Sequence, residues 1–297
     1  MKARVLLAAA FVAVAAVGAG YAQQRVQQPI TNKDWEKPFP GFKIVGNLYY
    51  VGTYDLAAYL IATNDGLILI NSGAPGSYPL MKKSIEDLGF KLADIKLITS
   101  THGHWDHVGD LAEFQKVSKA RVVMSERDAP VLESGGNLDY RRPEGRGIIY
   151  DPIKVDQHLK DGDKFRQGTT EITVINSPGH TPGATSFSFP IQDGGRTYNV
   201  LIANMPGINN GVKLLGSPGY PTIVQDFAGT IQRLKGMNPD IWLSSHAGQF
   251  NLHQVYKPGD AYNPARFSDV AAYKSKLTGY EKSYNEQLAM ERAQQKK

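Results

Sequence analysis

The sequence of 297 residues contains no cysteine. A chain without cysteine forms no disulfide and offers neither a thiolate nucleophile nor a thiolate metal ligand. Any metal site must therefore be built from histidine, aspartate or glutamate side chains. Stability must come from core packing, for which an apolar fraction of 41% is sufficient, and from any metal that binds.

An excess of charge of one sign is also nearly absent. The formal net charge is +5 at pH 7, and the basic residues are scattered along the chain. A nucleic-acid-binding surface needs a basic patch or stripe. We therefore expect no nucleic-acid partner.

A long apolar run occurs at the N terminus, over residues 5–17, and no other stretch could cross a membrane. Lys2 and Arg4 precede this run and Gly20-Tyr21-Ala22 follows it, a pattern typical of a secretory signal peptide. A membrane anchor is the less favoured alternative, because the run is short for a span of about 20 residues.

The domain organisation follows from this pattern. We predict a signal peptide over residues 1–22, an N-terminal arm over 23–41, and a single domain over 42–297 that ends in a surface helix. Removal of Lys2 and Arg4 leaves a net charge of +3. We expect a periplasmic or secreted monomer that does not contact the membrane after cleavage.

Strand and helix patterns alternate along the predicted domain. The pattern predicts an apolar strand over residues 95–100 and a helix over 108–117, and the second half of the domain again alternates strands with a helix. Such alternation favours a layered α/β fold. The polar segment 134–152 is long for a plain connection and predicts a loop over a site.

Five of the seven histidines follow predicted strands. Three of them lie in the run Thr-His-Gly-His-Trp-Asp-His over residues 101–107, directly after the strand at 95–100. The other two follow later strands, in Ser-Pro-Gly-His-Thr-Pro-Gly (177–183) and Ser-Ser-His-Ala-Gly (244–248). Layered α/β folds place their sites at strand ends. Of the remaining two, His158 is interpreted as a loop residue, and His253 as a residue that either supports the site or has a structural role.

A lone histidine is more often structural than a ligand, but this grouping reverses the preference. Imidazoles suit zinc, and a carboxylate completes a mixed site. Without metal, protonated histidines packed together would repel one another. The spacing therefore favours a metal site.

The His-x-His-x-Asp-His run, the later Pro-Gly-His-Thr-Pro-Gly and the final Ser-His together resemble the metallo-β-lactamase superfamily. The resemblance covers residues from about 46 to about 253 and implies an αββα sandwich, with two mixed sheets back to back and helices outside. Flanking segments, among them Val-Gly-Thr at 51–53 and Gly-Gln-Phe-Asn-Leu-His at 248–253, are similar to the third subclass of metallo-β-lactamases.

The resemblance also implies two zinc ions per chain and assigns their ligands. The first zinc would be held by His102, His104 and His180, and the second by Asp106, His107 and His246. The implied reaction is hydrolysis of the amide bond of β-lactam antibiotics by a metal-bound hydroxide, which Asp106 orients, giving antibiotic resistance. Asp65 and Ser72 are candidates to support the ligating imidazoles.

The chain departs from that subclass where members commonly carry a serine that orients water or the substrate carboxylate. Here the segment reads Asn204-Met205, and methionine cannot do this. Asn209, Asn210 or Lys213 are candidates for binding the substrate instead.

Two alternatives stay open. One is another metallo-hydrolase of the same fold, acting on a thioester, a lactone or a phosphodiester. Thioesterases of the glyoxalase type and lactonases typically add an acidic residue in the segment that here reads Ala203-Asn204-Met205, which counts against them. The other is a non-catalytic metal-binding protein, against which the complete ligand set argues.

Overall fold

The computed structural model describes residues 32–296. The predicted signal peptide and the first part of the predicted arm lie outside these residues. The strands are β1 (Phe42–Val45), β2 (Leu48–Tyr50), β3 (Tyr59–Thr63), β4 (Gly66–Ile70), β5 (Ile95–Thr99), β6 (Arg121–Ser125), β7 (Gln157–Leu159), β8 (Lys164–Gln167), β9 (Thr170–Asn176), β10 (Thr185–Asp193), β11 (Arg196–Ala203) and β12 (Ile241–Ser244). The α-helices are α1 (Tyr78–Asp87), α2 (Trp105–Val108), α3 (Leu111–Ser118), α4 (Ala129–Glu133), α5 (Ile223–Gly236), α6 (Leu252–Val255) and α7 (Val270–Gln295).

The strands form two mixed sheets. The larger sheet has seven strands in the order β1-β2-β3-β4-β5-β6-β7, antiparallel up to β4 and parallel beyond it. The smaller sheet has five strands in the order β12-β11-β10-β9-β8, with β11 and β12 parallel and the other pairs antiparallel. The predicted fold class, an α/β sandwich of two mixed sheets with helices, is confirmed.

The main core lies between the two sheets. Ile68 and Ile70 of β4 belong to this core together with Phe187 of β10, because alternate residues of a strand face opposite sides. Leu67 and Leu69 of the same strand join a second core, where α1, α3 and α4 cover the outer face of the larger sheet. The larger sheet is therefore packed on both faces, which fixes the positions of the loops at the ends of its strands.

The helix predicted over residues 108–117 is wrong in one respect, because the structure has two helices there. Gly109 separates α2 from α3, and its N–H donates to the carbonyl oxygen of Gly73 at 2.9 Å. A Cβ at this position would collide with the backbone of Pro75. The break makes α2 a separate turn that carries Asp106 and His107. His158 also departs from its interpretation, because it lies in β7 rather than in a loop.

The C-terminal helix α7 has one buried face. Tyr273, Leu277, Tyr284 and Leu288 are buried, and the rest of the helix is largely exposed. Within residues 32–296, no helix combines the length and the apolar character that crossing a membrane requires.

Replacing Leu277 by alanine should destabilise the fold by roughly 2–5 kcal/mol, because this fully buried side chain completes the core between the sheets. Met290→Ala on the same helix is the control: its side chain is 55% exposed, so its effect should stay within about 0.5 kcal/mol. Urea unfolding of both variants measures the difference. Equal free energies of unfolding would show that α7 does not pack as described.

Candidate metal centre

Loops that follow strand ends bring six side chains to one place. His102 and His104 lie in the loop after β5, and α2 immediately after this loop carries Asp106 and His107. His180 follows β9 and His246 follows β12. These are the six residues predicted as metal ligands, and the structure brings all of them together in two adjoining groups.

The first group consists of His102, His104 and His180. One ring nitrogen from each lies within 4.8 Å of the others, and His104 Nδ1 and His180 Nε2 are 3.1 Å apart. The rings stand nearly perpendicular, with the centroids of His102 and His180 4.7 Å apart at an interplanar angle of 90°. Three imidazoles aimed at one point from different directions fit a tetrahedral metal with one open position.

The second group consists of Asp106, His107 and His246. Asp106 Oδ2 lies 3.2 Å from His107 Nε2 and 3.5 Å from His246 Nε2, and these two nitrogens are 3.2 Å apart. Ligand atoms of His102, Asp106 and His107 also lie within 4.8 Å of one another. The two groups are therefore neighbours and could hold two ions side by side.

Burial sets the protonation of these side chains. Burial, with repulsion from neighbouring charges, holds the pKa of His102 and His104 well below its ordinary value. Burial likewise lowers the pKa of His180 to about 4. Burial opposes the charge of Asp106, but His107 and His246 hold the pKa of its carboxyl well below the usual range. Neutral imidazoles and an ionised carboxylate are the forms that bind a metal.

His246 differs from the other four imidazoles. Burial would lower its pKa, but hydrogen bonds to the carboxylates of Asp106 and Asp55 raise it to about 9. A protonated His246 supplies positive charge beside the Asp106 and Asp55 carboxylates, which a divalent cation at the second group would otherwise supply.

The hydrogen bonds of the rings test whether a metal fits. His180 Nδ1 donates to the carbonyl oxygen of Gly207 at 2.6 Å, and His246 Nδ1 donates to Asp55 Oδ2 at 3.1 Å. Their Nε2 atoms are thereby left for the cluster. His102 Nε2 is buried with no hydrogen-bond partner among the described residues. Because buried polar atoms are normally paired, this arrangement fits metal ligation.

Asp128, which the sequence did not reveal as a site residue, joins the loops that carry the first group. Its buried carboxylate accepts hydrogen bonds from Gly103 N at 2.8 Å, Thr181 Oγ1 at 2.7 Å and Gly183 N at 2.8 Å. Gly103 lies between His102 and His104, and Thr181 follows His180. One side chain therefore fixes the distance between the two loops.

Asn71 fixes the same region from the end of β4. Its Oδ1 accepts hydrogen bonds from Ser100 Oγ at 2.9 Å and Thr101 N at 3.0 Å, directly before His102. Its backbone has a φ of 66°, a left-handed conformation that asparagine tolerates better than most residues. Neighbouring Ser72, predicted to support an imidazole, instead holds the backbone carbonyl of His107 through its N–H at 2.7 Å.

Asp65 does not support an imidazole, which corrects the prediction. It lies exposed in the turn between β3 and β4, where its N–H bonds Thr63 Oγ1 and its carbonyl oxygen accepts from Gln167. This turn is at the opposite end of β4 from Asn71. An acidic residue that does hold one of the histidine rings is Asp55, which accepts from His246 Nδ1 and is 191 residues from it in the sequence.

The predicted loop over residues 134–152 does contact the site. Tyr150 Oη donates to the carbonyl oxygen of Gly103 at 2.8 Å, and Tyr140 Oη donates to that of His180 at 3.2 Å. Asp139 Oδ2 lies 3.7 Å from His104 Nε2, and Arg141 binds the same carboxylate through Nη2 at 2.6 Å and Nε at 3.0 Å.

The candidate substrate residues Asn209, Asn210 and Lys213 line one cavity beside α7, and they differ in their links to the histidines. Asn209 lies beside Tyr140, two residues after the Gly207 carbonyl that holds His180. Asn210 is exposed, and its carbonyl oxygen accepts from Arg146. Lys213 is exposed, and its charge acts on Glu291 of α7 rather than on the histidines. Met205 is buried in the main core. The structure therefore keeps only Asn209 near the histidines.

Comparison with solved structures places this chain among close relatives. The metallo-beta-lactamase GOB-18 from Elizabethkingia meningoseptica superposes with a TM-score of 0.87 at 42% identity, over 91% of this chain and 99% of that chain. The class B3 di-zinc metallo-beta-lactamase LRA-12 from an Alaskan soil metagenome gives 0.85 and 43%, over 88% and 98% of the two chains.

Sequence comparison gives shorter matches. A hydroxyacylglutathione hydrolase from Cereibacter sphaeroides is 34% identical over 129 residues, which are 43% of this chain and 41% of that enzyme. The chain spans about half the length of the curated relatives that it matches. A family model described as the metallo-beta-lactamase superfamily matches residues 54–194. The two-sheet fold, the paired His and Asp groups and the match to nearly the full length of the related structures show that this chain belongs to the metallo-β-lactamase superfamily.

Proposed function

We propose that the protein is a zinc-dependent hydrolase that opens the amide bond of β-lactam antibiotics. The observation that carries this proposal is the convergence of six ligand side chains in two adjoining groups, on a fold shared at 42–43% identity with named metallo-β-lactamases. The proposal includes two zinc ions, a periplasmic or secreted location and a role in antibiotic resistance.

The ligand assignment follows the two groups. His102, His104 and His180 would hold the first zinc, and Asp106, His107 and His246 the second. Bound zinc lowers the pKa of water from about 16 to about 7 and polarises a carbonyl group.

The chain's own residues orient the reactants. The ionised Asp106 carboxylate of the second group lies close to His102 of the first and can accept a hydrogen bond from the attacking water, which aligns it with the lactam carbonyl. Gly207 and Asp55 fix the rings of His180 and His246 by holding their Nδ1 atoms. These contacts keep the ligand nitrogens in place during turnover.

We also propose Arg141 as the residue that receives the substrate carboxylate, which penicillins, cephalosporins and carbapenems share. Its Nη2 lies 2.6 Å from Asp139 Oδ2, which is 3.7 Å from His104 Nε2, so Arg141 lies close to the first group. Nε and Nη2 bind Asp139, and within residues 32–296 its Nη1 makes no hydrogen bond. A free guanidinium N–H group can bind a carboxylate through a charge-assisted hydrogen bond.

Thioester hydrolysis is the second candidate, because of the match to a hydroxyacylglutathione hydrolase. Asn204 stands in the segment where that class would place an acidic residue. Its neutral amide donates to the carbonyl oxygen of Thr101 at 3.0 Å. This arrangement favours the β-lactam proposal.

Purified protein should hydrolyse a penicillin, a cephalosporin or a carbapenem, and a chelator should abolish the activity until zinc is restored. His102→Ala should lower kcat/KM by at least about 100-fold, because it removes a ligand from the site that activates water. His158→Ala is the control, since this exposed histidine lies in β7. Zinc-loaded protein that cleaves thioesters but no β-lactam would contradict the proposal.

Asp128→Asn should weaken zinc binding at the first group by roughly 10–100-fold, because an N–H₂ in place of one carboxylate oxygen faces at least one of the three hydrogen-bond donors and loosens the link between the two loops. Asp240→Asn is the matched control, since that carboxylate also accepts a backbone N–H, from Asn199, on a loop without ligands. Competition with a chromophoric chelator measures both affinities. Unchanged zinc affinity in the Asp128 variant would show that the loops do not need this link.

Arg141→Gln should raise KM for a free-acid β-lactam by roughly tenfold or more, because a charge-assisted hydrogen bond is worth about 1.5–3 kcal/mol. The methyl ester of the same substrate should show little change. Arg142→Gln is the control, since its guanidinium bonds the carbonyl of Gly147 within the loop. Equal changes in KM for acid and ester would instead indicate that the loop has moved.

A further inference from the structure

The segment before β1 packs against His246, a ligand residue of the second group. Trp35 ends a single turn of 3-10 helix at residues Lys33–Trp35, and its indole Nε1 donates to Asp55 Oδ2 at 3.0 Å. The same oxygen accepts from His246 Nδ1 at 3.1 Å. The other oxygen of Asp55 accepts from Gly248 N at 3.2 Å. Three donors, one from the segment before β1 and two from the segment after β12, therefore fix one carboxylate.

The aromatic rings that contact Trp35 belong to a member of the second group and to a residue next to it in the sequence. The Trp35 centroid lies 5.8 Å from that of His246 and 5.5 Å from that of Trp105, which it meets edge to face. Trp105 directly precedes Asp106 in α2. The side-chain hydrogen bond and ring contacts of Trp35 within residues 32–296 thus all belong to the surroundings of the second group.

The segment is anchored on the body beyond Trp35. The carbonyl oxygen of Lys37 accepts from Tyr54 N at 2.9 Å, and the Lys37 ammonium lies 3.8 Å from the centroid of the Tyr54 ring. Phe39 is 6% exposed and belongs to the main core. These contacts place the segment alongside the chain that carries Asp55, so Trp35 reaches the carboxylate from a fixed position.

We propose that Trp35 is a positioning residue for the second metal position. The inference rests on the proposed function, from which it takes the two metal positions. The indole N–H holds Asp55 Oδ2 where it accepts the Nδ1 proton of His246, and this directs His246 Nε2 toward Asp106 and His107. The N-terminal segment thereby sets the affinity of the second position without contacting the ion, and it leaves the first position unaffected.

Trp35 affects the second position because the hydrogen bond between Asp55 and His246 is partly exposed to solvent. The side chains of Asp55 and His246 are 22% and 20% exposed, whereas that of His107 is fully buried. An exposed carboxylate with one donor fewer can rotate toward water and release the imidazole. Partners that orient a metal-ligating histidine contribute roughly 10–100-fold to metal affinity. Trp35 acts one step further from the ion, so its effect should lie near the lower end of that range.

Stepwise titration of the metal-free full chain with zinc, followed by calorimetry and chelator competition, tests the inference. Trp35→Phe keeps an aromatic ring and removes the donor. We expect the affinity for the second equivalent to fall by roughly fivefold to tenfold, while the first equivalent binds as in wild type. Asp55→Asn should weaken the second equivalent further, because it removes the acceptor of His246 itself.

Trp242→Phe is the matched control, since this buried tryptophan packs on Tyr273 away from the site, and both equivalents should bind unchanged. A Trp35→Phe protein that binds both equivalents like wild type, or loses affinity equally for both, overturns the inference, as does a wild type that binds a single equivalent. The titration needs no substrate. Two bound ions without β-lactam turnover would therefore refute the proposed function alone.

Discussion

Five imidazoles and one carboxylate, buried together at the ends of separate strands, are the constraint on which the rest of the site depends. Protonated histidines at this spacing would repel one another, and burial keeps four of the five neutral. Among the described residues, neutral rings leave nitrogens such as His102 Nε2 without a hydrogen-bond partner. A divalent cation between the rings satisfies both requirements, which is why the proposed metal sites and the local fold cannot be separated.

A second set of polar contacts keeps the cluster in shape. Asp128 ties the loops of the first group to each other, Asn71 fixes the start of the His102 loop, and Asp55 holds His246. The segment 134–152 adds tyrosine hydroxyls that bond the backbone of the same loops. Asn71 directly follows β4 and Asp128 directly precedes α4, so the rigidity of the sandwich reaches the first group through short hydrogen bonds.

The fold class and the convergence of the six candidate ligand residues could be predicted from the sequence because both have local signals. The run over residues 101–107 places four polar ligands beside one apolar strand, and the strands themselves are short apolar runs. The supporting residues have no such signal. Asp55 is 191 residues from His246, and Asp128 is 55 residues from Gly183, so only the folded topology brings them together.

The predictions for Asp65 and for the helix over residues 108–117 were wrong because they too depend on contacts between residues distant in the sequence. Asp65 begins the run Asp-Gly-Leu-Ile-Leu-Ile-Asn-Ser-Gly at residues 65–73, which is similar to the third subclass, yet Asp65 lies at the far end of β4 from the histidines. The helix predicted over residues 108–117 has a continuous periodicity, but Gly109 must pass close to Pro75, a contact between distant residues that interrupts the helix. Local patterns identify ligands and strands, whereas close approaches between remote segments decide the breaks and the anchors.

We propose that the six converging side chains bind two metal ions and that these ions complete the fold. The most direct test of this proposal is the zinc content of the purified full chain, measured together with its thermal unfolding midpoint before and after metal removal. We expect two zinc ions per chain and a midpoint that falls on removal and recovers when zinc is added, because a ligand that binds only the folded state stabilises it. A folded chain that retains no zinc, with a midpoint insensitive to added metal, would contradict the account.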